Sequence, residues 1–215
     1  MHLFRSFVAM LAASAIAGCL VSTDPDLWKK LNEDIGIADG GSPDGLLTVT
    51  TFPEADTYVR SGSNSQNNFG KEAKIEIDRQ ETDGSIKEGF VRFPRISAVG
   101  TIVKATLFLT VDTPKGQSDD SANIFCIDNS VWAEELMTWE TKPSTQGTII
   151  GAIGNTDAMS SVAVVLKIDS TSCIKPNSVP SLAFLGRSPE DGFDFFSRED
   201  TIKAPKLVLE VMSNP

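Results

Sequence analysis

Val103-Lys-Ala-Thr-Leu-Phe-Leu-Thr-Val-Asp112 decides the fold class. Val103, Ala105, Leu107, Leu109 and Val111 alternate with Lys104, Thr106, Phe108, Thr110 and Asp112. A period of two sends the first set to one face and the second to the other, the pattern of a strand buried on one side. Leu47-Thr-Val-Thr50 and Lys74-Ile-Glu-Ile-Asp78 repeat it, and further strands are predicted near 89–93, 123–128, 162–169, 182–185 and 206–211. Turn signals separate them, among them Asp83-Gly84, Pro114-Lys-Gly116, Asn155 and Ser188-Pro-Glu-Asp-Gly192. No helical repeat of comparable length occurs. About nine or ten strands in one domain, joined by loops of uneven length, predict an all-β chain folded as a single β-sandwich of jelly-roll type.

Outward from this strand-rich body, the N-terminal end reads differently. Residues 1–18 carry Arg5, the apolar run Phe7–Ala17 and small residues before Cys19, the pattern of a secretory signal peptide. Ile16-Ala-Gly-Cys19 is similar to a bacterial lipobox, where cleavage precedes a cysteine that is then lipidated; the alternative is an ordinary signal peptide cut nearby. Lipidation of Cys19 would anchor the chain to a membrane without spanning it. The expected location is the bacterial cell envelope, at the outer membrane or cell surface. Residues 19–45 form an acidic, flexible tether ending in Asp39-Gly-Gly-Ser-Pro-Asp-Gly45. Within it, Asp26–Ile37 has the spacing of a short amphipathic helix, which is marginal in water unless it docks. The domain proper covers 46–215.

The full chain of 215 residues has a formal charge of −10, and loss of residues 1–18 removes only Arg5 from the charged groups, making it −11. So acidic a chain does not bind nucleic acid through its net field. The single histidine, His2, lies in the signal segment. A mature chain without histidine excludes Ser-His-Asp and Cys-His catalysis and every His-ligated metal site. No P-loop and no G-x-G-x-x-G fingerprint is present.

Trp132-Ala-Glu134-Glu-Leu-Met-Thr138-Trp139-Glu-Thr-Lys-Pro143 holds two of the three tryptophans. Pro143 and Thr138 argue against one continuous helix and for a structured connector. Two readings of its indoles stand side by side. They plug one end of a core, each N–H satisfied by a group such as Glu134 or a backbone carbonyl, or they lie exposed as faces for a sugar ring.

This segment, W-x-E-x-x-x-T-W-x-x-x-P, resembles the signature of the DNRLRE, or disaggregatase-related, domains, a family grouped with carbohydrate-binding modules. Ala55-Asp-Thr-Tyr-Val59 is similar to the family's opening A-D-x-Y-V, and Asn67-Asn68-Phe69-Gly70 to its N-[YF]-G. Phe90-Val-Arg-Phe93 is similar to its Y-L-R-F-D strand, with Pro94 in place of Asp, so no role is carried over for that carboxylate. Lys167-Ile-Asp-Ser-Thr171 resembles an I-D-V-T element, and Phe196-Ser-Arg-Glu199 with Pro205-Lys-Leu207 the closing S-R-E…P-x-L. The resemblance implies a β-sandwich and a non-catalytic module that binds polysaccharide.

Arginine forks chelate carboxylates and lysines add point charge, so Arg60, Asn68, Lys74, Arg92 and Arg198 are the candidate binding residues for an acidic polysaccharide. Alternation places Arg92 opposite Val91 and Phe93, on an outer face. The other reading of Arg92 and Arg198 is an internal ion pair with Asp56 or Glu199. A second function class is a surface protein that contacts other proteins through sheet edges or the tryptophan segment. A third is a polysaccharide lyase using Tyr58 as base and Arg60 as cation. A structural calcium ion would need oxygens such as those of Asp56 with Asn68, or of Asp119 and Asp120 with Asp112 and Asn123. With Cys19 lipidated, Cys126 and Cys173 remain as either a disulfide or two buried thiols.

Overall fold

The computed structural model describes residues 45–79, 85–112, 122–128, 130–145, 147–154, 156, 161–187 and 192–213. The signal segment, the tether before Gly45, Cys19 with it, and the Asp119-Asp120 pair lie outside them. Eleven strands form two antiparallel sheets: β1 (Leu46–Thr51), β2 (Ala55–Arg60), β3 (Lys74–Arg79), β4 (Ile86–Arg92), β5 (Thr101–Thr110), β6 (Ala122–Cys126), β7 (Thr148–Ile153), β8 (Ser161–Leu166), β9 (Ser181–Gly186), β10 (Phe193–Phe196) and β11 (Lys206–Met212). One sheet runs β1-β11-β5-β8; the other runs β10-β3-β4-β9-β6-β7, with β2 paired to β4. Among the described residues helix is confined to single 3₁₀ turns at Gly62–Asn64 and Glu134–Leu136, and none is long and apolar enough to cross a membrane.

The alternating strand of the first paragraph is β5. Ala105, Leu107 and Leu109 are buried, and β11 answers in register, with Leu107 opposite Leu207 and Ala105 opposite Leu209. The facing sheet contributes Val91, Ile124, Leu182 and Phe184 to the same core, joined by Phe193, Phe195, Ile75 and Ile77. Gly89 on β4 leaves room for side chains of β3, its neighbour in the same sheet: a Cβ there would stand 2.5 Å from Ile77 Cδ1 and 2.6 Å from Ile75 Cγ2. Three strands were not predicted individually: β2 is buried along nearly its whole length and shows no alternation in exposure, Gly151 interrupts the alternation of β7, and β10 is four residues long.

β1 and β11 bring the two ends of the domain together. Leu46 pairs with Met212, and the Gly45 carbonyl accepts from the Ser213 N–H at 3.0 Å. Gly45 turns into this strand with φ of 67°, which a side chain would oppose.

Cys126, the last residue of β6, is bonded to Cys173 in the loop before β9, with Cα atoms 5.5 Å apart. Of the two sequence readings, the paired one is the one the fold adopts. The closed loop is long, 47 residues, so the bond constrains the unfolded chain strongly. Replacing both cysteines by serine is expected to lower unfolding free energy by ~3–4 kcal/mol. Urea melts of the oxidised chain against the double variant measure this, and equal midpoints would show that the bond adds nothing.

Candidate functional site

Alternation on β4 and β9 gives the seven-stranded sheet a second apolar face. Val91 and Leu182 enter the main core, while Phe90 and Ala183, paired with one another, turn the opposite way. Val59 and Ala55 on β2 join them, and a separate cluster forms with Ile127, Trp132 and Met137. The tryptophan segment therefore covers an outer sheet face that would otherwise be wet.

Trp132 is the plug. It is 7 % exposed, meets Phe90 edge-on with ring centroids 6.4 Å apart, and donates its indole N–H to Ser181 Oγ at 2.9 Å. The need for a partner was legible in sequence; its identity was not, because Ser181 lies 49 positions away. Trp139 is half-buried, and Lys142 sits over its ring at 4.2 Å while pairing with Glu88. Neither indole offers an uncovered face of the kind the sugar-stacking alternative requires.

Arg92 reaches the outer face as predicted, but the segment closes over it. Its guanidinium lies over the Trp132 ring at 4.8 Å, Nη1 donates to the carbonyls of Ser130 and Trp132, and Nε pairs with Glu54 Oε1 at 2.6 Å. The ion-pair alternative describes it better than the ligand-gripping one, with Glu54 as partner in place of Asp56 or Glu199. Asn68 is committed in the same way. Its Nδ2 donates to the carbonyls of Glu134 at 2.7 Å and Met137 at 2.8 Å, and Oδ1 accepts from the Gly70 N–H. An amide so engaged stitches the β2–β3 loop to the segment. Gly70 fits because a Cβ there would lie 2.7 Å from Glu134 Cγ and from the Glu134 carbonyl oxygen.

Arg198 joins the segment from the β10–β11 loop. Its Nη2 lies 3.0 Å from Glu134 Oε2, Nε donates to both Glu134 oxygens, and Glu199 Oε1 is 3.6 Å away. Burial opposes the Arg198 charge, but the hydrogen bonds to Glu134 outweigh it and hold the guanidinium above its usual range. Its backbone N–H donates to Asp56 Oδ2 at 2.8 Å. Asp56 is buried, and desolvation pushes its carboxyl up to about 7 against the lowering effect of that N–H; Glu199 and Glu134 add to the rise. Burial raises Glu134 as well.

The remaining cations stand elsewhere. Lys74 is ion-paired with Asp112, which accounts for its raised pKa. Lys74 also lies 5.9 Å from the centroid of the Phe196 ring opposite it on β10, and Lys203 lies 3.9 Å from the centroid of the same ring. Phe196 is half-exposed and Lys203 exposed. Arg60 ends β2 half-buried, with its Nε buried and without a hydrogen-bond partner among the described residues. Tyr58 is buried and stacked on Phe69 at 4.4 Å, and desolvation raises its hydroxyl well above the ordinary range. A phenol in that setting is unfit to serve as a base. Pro143 ends the segment buried.

Residues 47–211 match carbohydrate-binding module family 96. The chain belongs to that family. Among curated proteins none matches it in sequence. A solved structure, the K1 cleaved adhesin domain of Lys-gingipain from Porphyromonas gingivalis W83, aligns over 79 % of this chain and 99 % of its own, at 12 % identity and a TM-score of 0.28.

In this family member Asn68, Arg92 and Arg198 converge on one assembly, the tryptophan segment and its fastenings. Arg92→Ala is expected to cost ~2–3 kcal/mol, since charge-assisted bonds to two carbonyls are lost. Chemical denaturation read by tryptophan emission measures it, and a red-shifted native spectrum would report a loosened Trp132. Unchanged stability would return Arg92 to the list of free ligand-binding residues. Gly70→Ala is expected to destabilise through the same segment, because the added Cβ displaces Glu134.

Proposed function

We propose that this chain is a non-catalytic module that binds an acidic polysaccharide and is held at a bacterial membrane by lipidated Cys19. Membership in a carbohydrate-binding family supports the ligand class. The acidic preference rests on one observation: half-exposed Phe196 carries two ammonium groups, Lys74 and Lys203, against its ring. Exposed Lys203 covers the ring in the free chain; swung toward a carboxylate or sulfate it would bare an aromatic face for the sugar ring, while Lys74, paired with Asp112, adds positive charge beside it. Arg60, with no carboxylate paired to it among the described residues, is a further cation for the same class of ligand. Arg92 and Arg198 act by keeping the tryptophan segment in place.

A contact with another surface protein is the second reading. Val131 and Leu136 flank buried Trp132 and are 90 % and 74 % exposed, an unusual outward display for large apolar side chains.

The discriminating experiment is a binding screen of the chain lacking residues 1–19 against neutral and uronic-acid polysaccharides at low and high salt. Binding to the acidic polymers that weakens as salt rises is expected. Lys203→Ala is expected to lower affinity about tenfold, the loss of one charge-assisted bond of ~1.5 kcal/mol, with thermal stability unchanged. Salt-independent binding to neutral glycans would overturn the acidic preference, and no glycan binding would favour the protein-contact reading.

A further inference from the structure

We propose that Asp56, Glu134 and Glu199 form a calcium site that fastens the tryptophan segment to the sandwich. One carboxylate oxygen from each lies within 4.8 Å of those from the other two. Acidic groups gather on many surfaces without a ligand, so proximity alone decides little. The deciding feature is Asp56: the residue is 1 % exposed, Oδ2 accepts the Arg198 amide, and Oδ1 is buried with no hydrogen-bond partner among the described residues. Leaving a buried carboxylate oxygen unmatched is costly, and proteins rarely do so without a proton or a cation to meet it.

The donor set selects the kind of cation. It holds only carboxylate oxygens, and the mature chain has no histidine, so softer transition metals have nothing to favour them. Calcium binds oxygens at ~2.3–2.6 Å, so two ligands of one ion stand up to roughly 5 Å apart. The three carboxylates fall inside that span. Magnesium demands a tighter octahedron and gives up its waters reluctantly. Glu199 is exposed, so water completes the coordination from that side.

Charge balance agrees. Three ionised carboxylates around the single Arg198 guanidinium leave two negative charges, which one divalent ion neutralises. Arg198 engages both Glu134 oxygens, and each oxygen retains a second lone pair for the ion. The alternative occupant is a proton on Asp56, whose carboxyl already sits near neutrality.

The three ligands come from β2, the tryptophan segment and the β10–β11 loop. An ion among them would join three stretches that otherwise meet through Arg198 and Asn68. The site differs from the two sets predicted in sequence, sharing only Asp56 with them.

The test is calcium titration of the chain lacking residues 1–19, stripped with chelator, followed by calorimetry and by thermal melting. The expected result is one calcium per chain, with a dissociation constant in the ~10⁻⁴–10⁻³ M range of extracellular modules and a raised melting temperature. Asp56→Asn keeps the acceptor for the Arg198 amide but loses the charge, and is expected to weaken calcium at least about tenfold, as one ligand of a cooperative set. Glu199→Gln, on the exposed side, is expected to fold normally and weaken calcium similarly. Four results would each overturn the proposal: no heat and no shift at ~10 mM calcium, well above that range; wild-type affinity in Glu199→Gln; wild-type affinity in Asp56→Asn; or an equal response to magnesium. The first of these, with stability falling as pH rises toward neutrality, would assign Asp56 Oδ1 to a proton.

Discussion

The seven-stranded sheet has apolar side chains on both faces, and a sandwich can bury only one of them between its layers. Phe90, Ala183 and Val59 point away from the facing sheet. Water must be kept from them by something other than a strand, and the connector that carries Trp132 does so. Large aromatic surfaces bury the most area per residue, and an indole additionally requires an acceptor for its N–H. Ser181 meets that requirement from the row of β9 that also presents Ala183. The signature residues around it are then explained by attachment: Arg92 and Asn68 hold the carbonyls of the segment, and Arg198 holds the Glu134 carboxylate.

This changes what the cations mean. A motif arginine on an outer strand face reads as a ligand-binding residue when only alternation is known. Arg92 does face outward, yet its guanidinium is covered by Trp132 and neutralised by Glu54. The residues with room to meet a ligand are less conspicuous in sequence. Lys203 belongs to no motif, and Phe196 is the first residue of one whose recognisable part follows it. They meet because β10 ends beside β3 and the following loop turns Lys203 back over the ring.

The fold class was legible because period-two alternation in β5 is a local property, and the same is true of β1 and β3. β10 escaped because four residues of Phe-Asp-Phe-Phe are too few to establish a period. The pairing of Cys126 with Cys173 required knowing that β6 ends next to the loop before β9, a neighbourhood that spacing leaves open. Asp56, Glu134 and Glu199 could not be grouped for the same reason. They are drawn together by β2 pairing, by the Asn68 bonds to the segment and by the loop after β10, and each of these is long-range.

Gly45 and Ser213, joined through the β1–β11 edge, put the entry and exit of the domain side by side. A load applied at Gly45 acts first on β1, an edge strand held on one side only by β11. Traction perpendicular to the strand would open its pairs one at a time, beginning with Leu46 and Met212, while traction along it would strain all six at once. Mechanical resistance of the module is thus set by the direction of pull at Gly45, independently of how tightly any ligand is held.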